Sequence, residues 1–315
     1  MDTGVTMNVT ISAPLPFDLA AWIRTQLITV EHALSRWVSS DAPQDHGAPA
    51  ALVAAMRYAV LDGGKRLRPL LVLATCEAVG GNAQAALRAA CATELIHAYS
   101  LVHDDMPCMD NDVLRRGKPT VHVQFGQAQA LLAGDALQAL AFELLTPEDA
   151  AVPPALQAAL CRLLARAAGS AGMAGGQAID LASVGCKLTE PQLREMHRLK
   201  TGALLLGSVQ MGAVCGTPTL AQTRALQAYG AAIGLAFQVV DDILDVTADS
   251  TTLGKTAGKD ACQDKPTYVS LLGLARSRDF AQELLAQALA ALDGSGLANT
   301  QSLRALADMV VNRHA

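Results

Sequence analysis

The sequence predicts an all-α protein, and its composition and patterning carry that prediction. Hydrophobic residues make up 51% of the 315 positions and aromatic residues only 3%, so the core must be built from Ala, Leu, Val and Ile. Ala and Leu are strong helix formers, whereas strands favour β-branched and aromatic residues. No segment of useful length alternates apolar and polar residues as a half-buried strand does. A helical bundle is therefore expected.

Helical stretches follow one another along the chain, separated by short breakers that contain glycine and proline. The predicted helices span residues 18–40, 49–62, 67–79, 84–106, 119–145, 153–168, 170–182, 190–214, 220–247, 266–275, 278–292 and 300–312. No breaker is long enough to link two domains, so a single domain over residues 17–315 is expected. Residues 1–16 lack the basic start and long apolar core of a secretory signal, and we predict a flexible tail there.

Charge and cysteine content narrow the class of protein further. The net charge of −5 argues against a nucleic-acid surface, which needs basic patches. The seven cysteines are odd in number, widely spread and without a Cys-x-x-Cys pair, so neither a disulfide framework nor a zinc site is expected. A reducing cytoplasm is the simplest location.

One uncharged stretch, between Lys200 and Arg224, is apolar enough to be compared with a membrane span. Glycines and Pro218 interrupt it, and Thr201 and Gln210 are polar. A helix that is apolar all round also suits the centre of a large bundle. We therefore predict a buried helix here and no stable membrane insertion.

Two groups of aspartates lie in apolar surroundings far apart in the chain. In HDDMPCMD, Pro107 should break the helix and let Asp110 fold back toward Asp104. In FQVVDDILD, Asp241 and Asp245 are four residues apart and point to nearly the same side of a helix. A solvated helix end would mix in other polar residues, and the segment before Asp241 is almost wholly apolar.

Carboxylates buried side by side need positive charge to neutralise them. Without His or Cys neighbours in ligand spacing, they suit a hard ion such as Mg²⁺, which keeps waters and phosphate oxygens as further ligands. His103 beside the first group is better explained by packing. The two groups together therefore predict Mg²⁺ ions that bridge to a polyanionic substrate.

Basic residues near both groups are candidates to bind the same anion. Those in GGKRLRP begin a helix, where cations oppose the helix dipole unless an anion binds; for Arg66, an exposed first turn explains the residue equally well. Forked guanidinium groups suit phosphate oxygens. The candidates are Lys65, Arg66, Arg68, Arg115, Arg116, Lys200, Lys255, Lys259 and Lys265. On composition alone, His97 is a core histidine.

In their order, the segments GGKRLRP, HAYSLVHDDMPCMD, LRRGKPT, KTGALL, FQVVDDILD and LGKTAGKD resemble the trans-prenyltransferases, or isoprenyl diphosphate synthases. The resemblance runs from about residue 18 to the C-terminus. It is strongest to bacterial farnesyl diphosphate synthases, whose first motif has four residues between its aspartates. It implies an all-α, single-domain homodimer of the isoprenoid synthase type, with helices around a deep central cavity. The implied reaction condenses isopentenyl diphosphate with an allylic diphosphate, with three Mg²⁺ ions when substrate is bound.

The resemblance also implies a role for each matching residue. The implied metal ligands are Asp104, Asp105, Asp110, Asp241, Asp242 and Asp245. The implied allylic diphosphate site comprises Arg115, Lys200, Lys255 and Lys265, and the isopentenyl diphosphate site comprises Lys65, Arg68, His97 and Arg116. Thr201 and Gln238 match positions whose oxygens face the carbocation, and Arg313 resembles a basic tail that can cap the second substrate.

Product length is the finest expectation. In the resembled family, an aromatic residue at the position of Tyr99, next to Ser100, goes with a fifteen-carbon product. On a helical wheel, however, Tyr99 points about 140° away from Asp104, so ordinary core packing explains it equally well.

Several alternatives remain open at this point. A geranylgeranyl diphosphate synthase would differ only in product length. A non-catalytic subunit of a prenyl synthase should lose aspartates from one motif, and this chain keeps all six. A terpene cyclase would not need Lys65, Arg68 and His97, and a helical scaffold would bind Mg²⁺ without releasing diphosphate.

Overall fold

Helices make up almost all of the regular structure in the computed structural model, which describes residues 17–39, 47–61, 63–186, 188–247 and 267–313. The helices are α1 (Leu19–Trp37), α2 (Ala50–Val60), α3 (Leu67–Val79), α4 (Ala83–Asp104), α5 (Val121–Phe125), α6 (Gln127–Leu145), α7 (Pro154–Ala168), α8 (Met173–Ala182), α9 (Glu190–His197), α10 (Ala203–Val214), α11 (Leu220–Thr247), α12 (Tyr268–Leu272), α13 (Leu274–Asp293) and α14 (Gln301–Val311). A π-helical turn, Arg198–Gly202, joins α9 to α10. The predicted all-α class is confirmed.

The helices pack around two large clusters of buried apolar residues. One cluster joins α1, α2, α4, α6 and α7, and the other joins α9, α11, α13 and α14. Helices α3 and α10 contribute to both clusters and pack on each other between them. They approach closely because a Cβ on Gly212 of α10 would lie 2.3 Å from the carbonyl oxygen of Val72 in α3. The uncharged stretch after Lys200 is therefore the buried helix that its composition predicts.

Helix starts and stops follow local chemistry. Asn82 caps α4 by accepting a hydrogen bond from the backbone N–H of Ala85 at 3.0 Å. Helix α4 ends at Asp104, just before Pro107, so the predicted break is confirmed. Gly80, with φ of 62°, ends α3 in the left-handed conformation that glycine adopts without strain.

Several predicted helices were wrong in detail. Residues 119–145 form two helices rather than one, because Gly126 has a φ of 87° that a helix interior does not accept. The break predicted between residues 275 and 278 lies at Gly273, with φ of 79°. A two-residue hairpin pairs β1 (Leu114–Arg115) with β2 (Lys118–Pro119), too short for an alternating pattern to reveal it.

One other helix has the length and apolar composition of a membrane span. It is α6, of which 39% is buried within the part of the chain that the structure describes. One face of α6 packs on α4, with Ala133 and Leu137 fully buried. Leu131 and Leu132, at 46% and 52% exposure, lie on its outer face.

Candidate active site

The first aspartate group lies where α4 ends and the chain turns back. The backbone N–H of Asp110 donates to the carbonyl of Asp104 at 2.8 Å, and the N–H of Asp112 donates to that of Asp105 at 3.1 Å. Asn111 adopts the left-handed conformation, with φ of 51°, within this turn. The predicted return of Asp110 toward Asp104 is therefore confirmed.

The two adjacent aspartates of this group have different surroundings. Asp105 is 2% exposed, and Arg115 donates to its carboxylate from Nε at 2.8 Å and from Nη2 at 2.5 Å. Asp104 is half-buried, and burial raises its pKa to about 6, helped by the charge of Asp110 and opposed by Lys200. A cation beside Asp104 would therefore stabilise its ionised form.

The second group is divided in the same way. Asp242 is 2% exposed, and its oxygens accept from Gln238 Nε2 at 2.8 Å and from the backbone N–H of Tyr268 at 2.7 Å. Asp245 is 5% exposed. Asp241 is half-buried, and Arg313 donates to its Oδ1 at 3.0 Å while stacking over the ring of Phe237.

The π-helical turn between α9 and α10 connects the two groups. The charge of Lys200 lowers the pKa of Asp104 in the first group, against the effect of burial. The hydroxyl of Thr201 donates to Oε1 of Gln238 at 3.0 Å, and Gln238 lies one turn before the aspartates of the second group on α11. The 190–214 prediction did not anticipate this turn. The two aspartate groups therefore flank Lys200 and Thr201.

Asp180 is a site residue that the sequence analysis missed. It is 4% exposed on α8, and its carboxylate accepts from Lys200 Nζ at 2.6 Å. The close approach requires Gly176, whose Cβ would lie 2.0 Å from the backbone nitrogen of Lys200. A single carboxylate within the apolar segment MAGGQAIDLA was the available signal.

The basic residues near α3 and α4 form a third part of the site. Arg116 donates from Nη1 to the carbonyl of Gly63 at 2.6 Å, which joins the RRG loop to the GGK loop. Burial and the charges of Arg68 and Arg116 lower the pKa of His97, so the imidazole is neutral. Burial lowers the pKa of Arg68, and the charges of Glu94 and Asp241 oppose that shift. Lys65 is exposed, yet partial burial of its ammonium and the charge of Arg313 lower its pKa, and the charge of Asp241 opposes that shift.

Arg66 departs from the sequence expectation. The exposed first turn was wrong, because the side chain is 1% exposed and forms ion pairs with Glu31 and Glu94. Its neighbours Lys65 and Arg68 are more exposed than Arg66, and the charge of Asp241 acts on both of them. Lys255 and Lys265, predicted for the allylic diphosphate, and Lys259 lie outside the described residues.

Residues 49–304 match the model of the polyprenyl synthetase family. The chain belongs to the polyprenyl synthetase family.

Individual members of the family cover nearly the whole chain. It is 50% identical to a probable farnesyl diphosphate synthase of Sinorhizobium fredii, over 85% of this chain and 80% of that protein. It is 45% identical to a chloroplastic geranylgeranyl pyrophosphate synthase of Capsicum annuum, over 95% and 79% of the two chains. A Helicobacter pylori geranyltransferase, solved with magnesium and isoprenyl diphosphate, superposes with a TM-score of 0.81 at 34% identity, over 95% of this chain and 98% of that one.

The polyprenyl synthetase assignment makes the chain a prenyltransferase and confirms the resemblance found in the sequence. The synthetase's predicted length-determining residues lie in α4. The ring of Tyr99 meets that of His103 edge-on, at 5.7 Å between centroids, and Ser100 Oγ donates to the carbonyl of His97 at 2.9 Å. His103 packs on α6, where a Cβ on Gly134 would lie 2.1 Å from its Nε2. The predicted packing role of His103 is confirmed.

The carboxylates of this synthetase suit Mg²⁺, an ion that does not need a site made entirely of protein ligands. Among the residues that the structure describes, no group of three carboxylate, imidazole or thiol side chains could hold a metal ion by itself. Mg²⁺ takes only one or two protein carboxylates and fills its other positions with waters and phosphate oxygens. The half-buried Asp104, Asp110 and Asp241 are the accessible candidates.

Proposed function

We propose that this prenyltransferase condenses isopentenyl diphosphate with dimethylallyl or geranyl diphosphate, releases diphosphate and forms mainly farnesyl diphosphate. One observation carries the proposal: the aspartate groups of α4 and α11 flank Lys200 and Thr201, beside the group of Lys65, Arg68, His97 and Arg116, which we call the basic pocket. A single diphosphate between the two groups would bind the carboxylates through metal ions. It would contact the basic side chains directly.

We propose that the aspartates bind Mg²⁺, with three ions present when substrate is bound. The carboxylates that would hold them include Asp104, Asp110 and Asp241, which are accessible and, at Asp104, short of positive charge. Asp105, Asp242 and Asp245 complete the predicted ligand set, and their burial suits a role in orienting the accessible three. Bound magnesium supplies Lewis-acid stabilisation of the departing diphosphate.

The allylic diphosphate site of the proposal uses Arg115, Lys200, Lys255 and Lys265. Lys200 is held in place by Asp180, so its ammonium acts as a fixed charge that needs no reorganisation as the leaving group departs. The allylic C–O bond breaks with both electrons on the diphosphate oxygen. Thr201 and Gln238, hydrogen-bonded to each other, present their oxygens to the resulting carbocation.

The second substrate completes the reaction. Lys65, Arg68, His97 and Arg116 would hold isopentenyl diphosphate, and Arg313 lies close enough to Lys65 for its charge to act on that side chain. The π electrons of the isopentenyl double bond form the new C–C bond to the allylic cation. A proton then leaves the adjacent carbon and passes to the released diphosphate, so no protein base is required.

Product length has one competing assignment. A geranylgeranyl diphosphate synthase is favoured by the similarity to the Capsicum annuum enzyme, which is comparable to that of farnesyl diphosphate synthases. Tyr99 supports the fifteen-carbon product through the family resemblance, in which an aromatic residue at this position goes with that product length; its side chain is half-buried on α4. A non-catalytic subunit is not favoured, because both aspartate groups are complete.

Assembly and location belong to the same proposal. We propose a homodimer in which the outer face of α6, with Leu131 and Leu132, packs on a second copy; nearby Val123 of α5 is also 50% exposed. Adjacent exposed apolar side chains of this kind suit an interface. We propose a cytoplasmic location, which suits the free thiols of the described cysteines Cys76, Cys91, Cys108, Cys161, Cys186 and Cys215.

The deciding experiment incubates purified protein with isopentenyl diphosphate, Mg²⁺ and either dimethylallyl or geranyl diphosphate, followed by chromatography of the prenyl products. A C15 product supports the full proposal. A C20 product supports the geranylgeranyl assignment, and Mg²⁺ binding without diphosphate release would contradict both.

A further inference from the structure

Arg66 has an unusual combination of backbone and side-chain features for a residue between two proposed substrate-binding cations. It immediately precedes α3 with φ of 45°, a left-handed conformation that is rare for a side chain of its size. Its guanidinium donates from Nε to Glu31 at 2.7 Å, from Nη1 to Glu94 at 2.7 Å, and from Nη2 to the carbonyl of Val60 at 2.6 Å. The side chain therefore joins α1, α2 and α4 at one point.

Glu94 carries the effect of Arg66 into the basic pocket. It is 3% exposed and lies one turn before His97 on α4. Burial lowers the pKa of both Arg68 and Arg116, and the negative charge of Glu94 opposes that shift. The Glu94 carboxylate therefore pairs with Arg66 and also balances part of the positive charge of Arg68 and Arg116.

The backbone at Arg66 has a second consequence for the pocket. The left-handed turn sends the Arg66 side chain inward while Lys65 stays exposed and Arg68 half-exposed. Gly64, two residues before Arg66, is covered by Arg116, since a Cβ on Gly64 would lie 2.9 Å from Arg116 Nη2. The turn at Arg66 therefore lies between Lys65 and Arg68, and Arg116 contacts the same loop at Gly63 and Gly64.

We propose that Arg66, together with Glu94 and Glu31, is a positioning residue for the second diphosphate site. It does not touch substrate; it holds the start of α3 and the Glu94 carboxylate so that Lys65, Arg68, Arg116 and His97 converge on one diphosphate. This inference rests on the proposed function, because it concerns the site assigned there to isopentenyl diphosphate. A fixed set of cations binds a diphosphate more tightly than mobile ones, since less order must be imposed on binding.

The test compares Arg66→Gln with Arg57→Gln. Arg57 is the control, because its half-buried guanidinium donates to the backbone carbonyls of Ser35 and Val38 at the end of α1 and forms no ion pair with Glu94. Steady-state kinetics give KM for each substrate and kcat, and calorimetry gives the affinity for isopentenyl diphosphate alone. Circular dichroism and thermal melts confirm that each variant is folded.

For folded Arg66→Gln we expect KM and Kd for isopentenyl diphosphate to rise about tenfold or more, because charged hydrogen bonds are lost. KM for the allylic substrate and kcat should change by less than about threefold, and Arg57→Gln should leave the ratio of the two KM values unchanged. Equal changes in both KM values, or an unchanged Kd for isopentenyl diphosphate, would overturn the positioning role.

A milder variant covers the case in which Arg66→Gln does not fold. Glu31 is 40% exposed, so Glu31→Gln removes one partner of Arg66 without leaving a buried charge unpaired. We expect a selective rise of about threefold in the Kd for isopentenyl diphosphate, and no rise would count against the role. If wild-type protein turns over both substrates, the proposed function stands whatever these variants show; if it turns over neither, the proposed function fails first.

Discussion

At the scale of single residues, the six aspartates are not equivalent. Asp105 and Asp242 are buried and hydrogen-bonded to Arg115, Gln238 and the backbone of Tyr268. Asp104 and Asp241, the first aspartate of each motif, are half-buried. We therefore propose that the accessible carboxylates make the outermost metal contacts, while hydrogen bonds to Arg115, Gln238 and Tyr268 orient the buried members of the same ligand set.

Asp104→Ala and Asp241→Ala should each lower kcat by at least about 10³-fold, because each removes a charge that the leaving diphosphate requires through its metal ions. The helical circular-dichroism signal should persist in both variants. Radiolabelled isopentenyl diphosphate incorporation measures the loss. Appreciable turnover in both variants would argue against a shared diphosphate site.

Metal-free protein should lose stability as pH rises through the range in which Asp104 ionises. Burial raises the pKa of Asp104 from 3.8 to about 6, so the folded state binds this proton more tightly than the unfolded chain does. The contribution is fully present below pH 3.8 and is lost as pH rises through about 6.

Thermal melts of wild type and Asp104→Asn, at about pH 5 and about pH 8 with chelator, measure the effect. The drop in Tm on going to the higher pH should be larger for wild type by a few degrees. Mg²⁺ with inorganic pyrophosphate should remove the difference. Identical pH dependence in the two proteins would contradict the assignment.

At the scale of secondary-structure elements, the site depends on close helix contacts. Helix α10 meets α3 at Gly212, and α8 meets the π-helical turn at Gly176. The first contact aligns the helix that follows Lys200 and Thr201 with the helix that carries Arg68. The second brings Asp180 to Lys200.

Gly212→Ala should destabilise the protein by about 1–3 kcal/mol, because the added methyl group would overlap the carbonyl oxygen of Val72. Gly294→Ala is the control, since its Cβ would make an ordinary contact of 3.7 Å with the carbonyl of Ala290. The control should change stability by less than about 0.5 kcal/mol. Urea unfolding compares the two, and equal stability would mean that α10 and α3 can separate without penalty.

Much of the element order was predictable from the sequence, because long apolar periodic segments form helices in most contexts. The helix at 67–79 and the helix at 220–247 were predicted to the residue. The division at Gly126 was missed, because glycine is tolerated in helices and only its positive φ reveals the break. The π-helical turn at Lys200 was missed because its sequence, RLKTG, is also compatible with an α-helix.

At the scale of the whole molecule, the length of the product depends on where the prenyl tail stops. Tyr99 is half-buried on α4 with its ring against His103. If this ring forms the floor of the tail-binding space, Tyr99→Ala should shift the product from C15 to C20 or longer. Chromatography of the dephosphorylated products measures the shift. An unchanged product would leave Tyr99 as a core residue only.

Assembly is the second property of the whole molecule. Leu132→Arg on the outer face of α6 should convert the proposed homodimer to monomer, because a charge replaces an apolar side chain at the interface. Ile28→Arg is the control, since Ile28 is 73% exposed on α1. Sedimentation or light scattering gives the mass of each variant, and a monomeric wild type would refute the interface.

The sequence by itself determined the helical class, the two aspartate motifs and the basic residues, because these depend on composition, spacing and residue chemistry. It could not determine which carboxylates are accessible, since Asp241 and Asp242 are neighbours with the same chemistry. Only the tertiary structure decided that Asp242 is hydrogen-bonded inside the protein, that Asp180 reaches Lys200, and that Arg66 pairs with Glu31 and Glu94. Such partners come from other helices far away in the chain, and their approach depends on packing that no local pattern encodes.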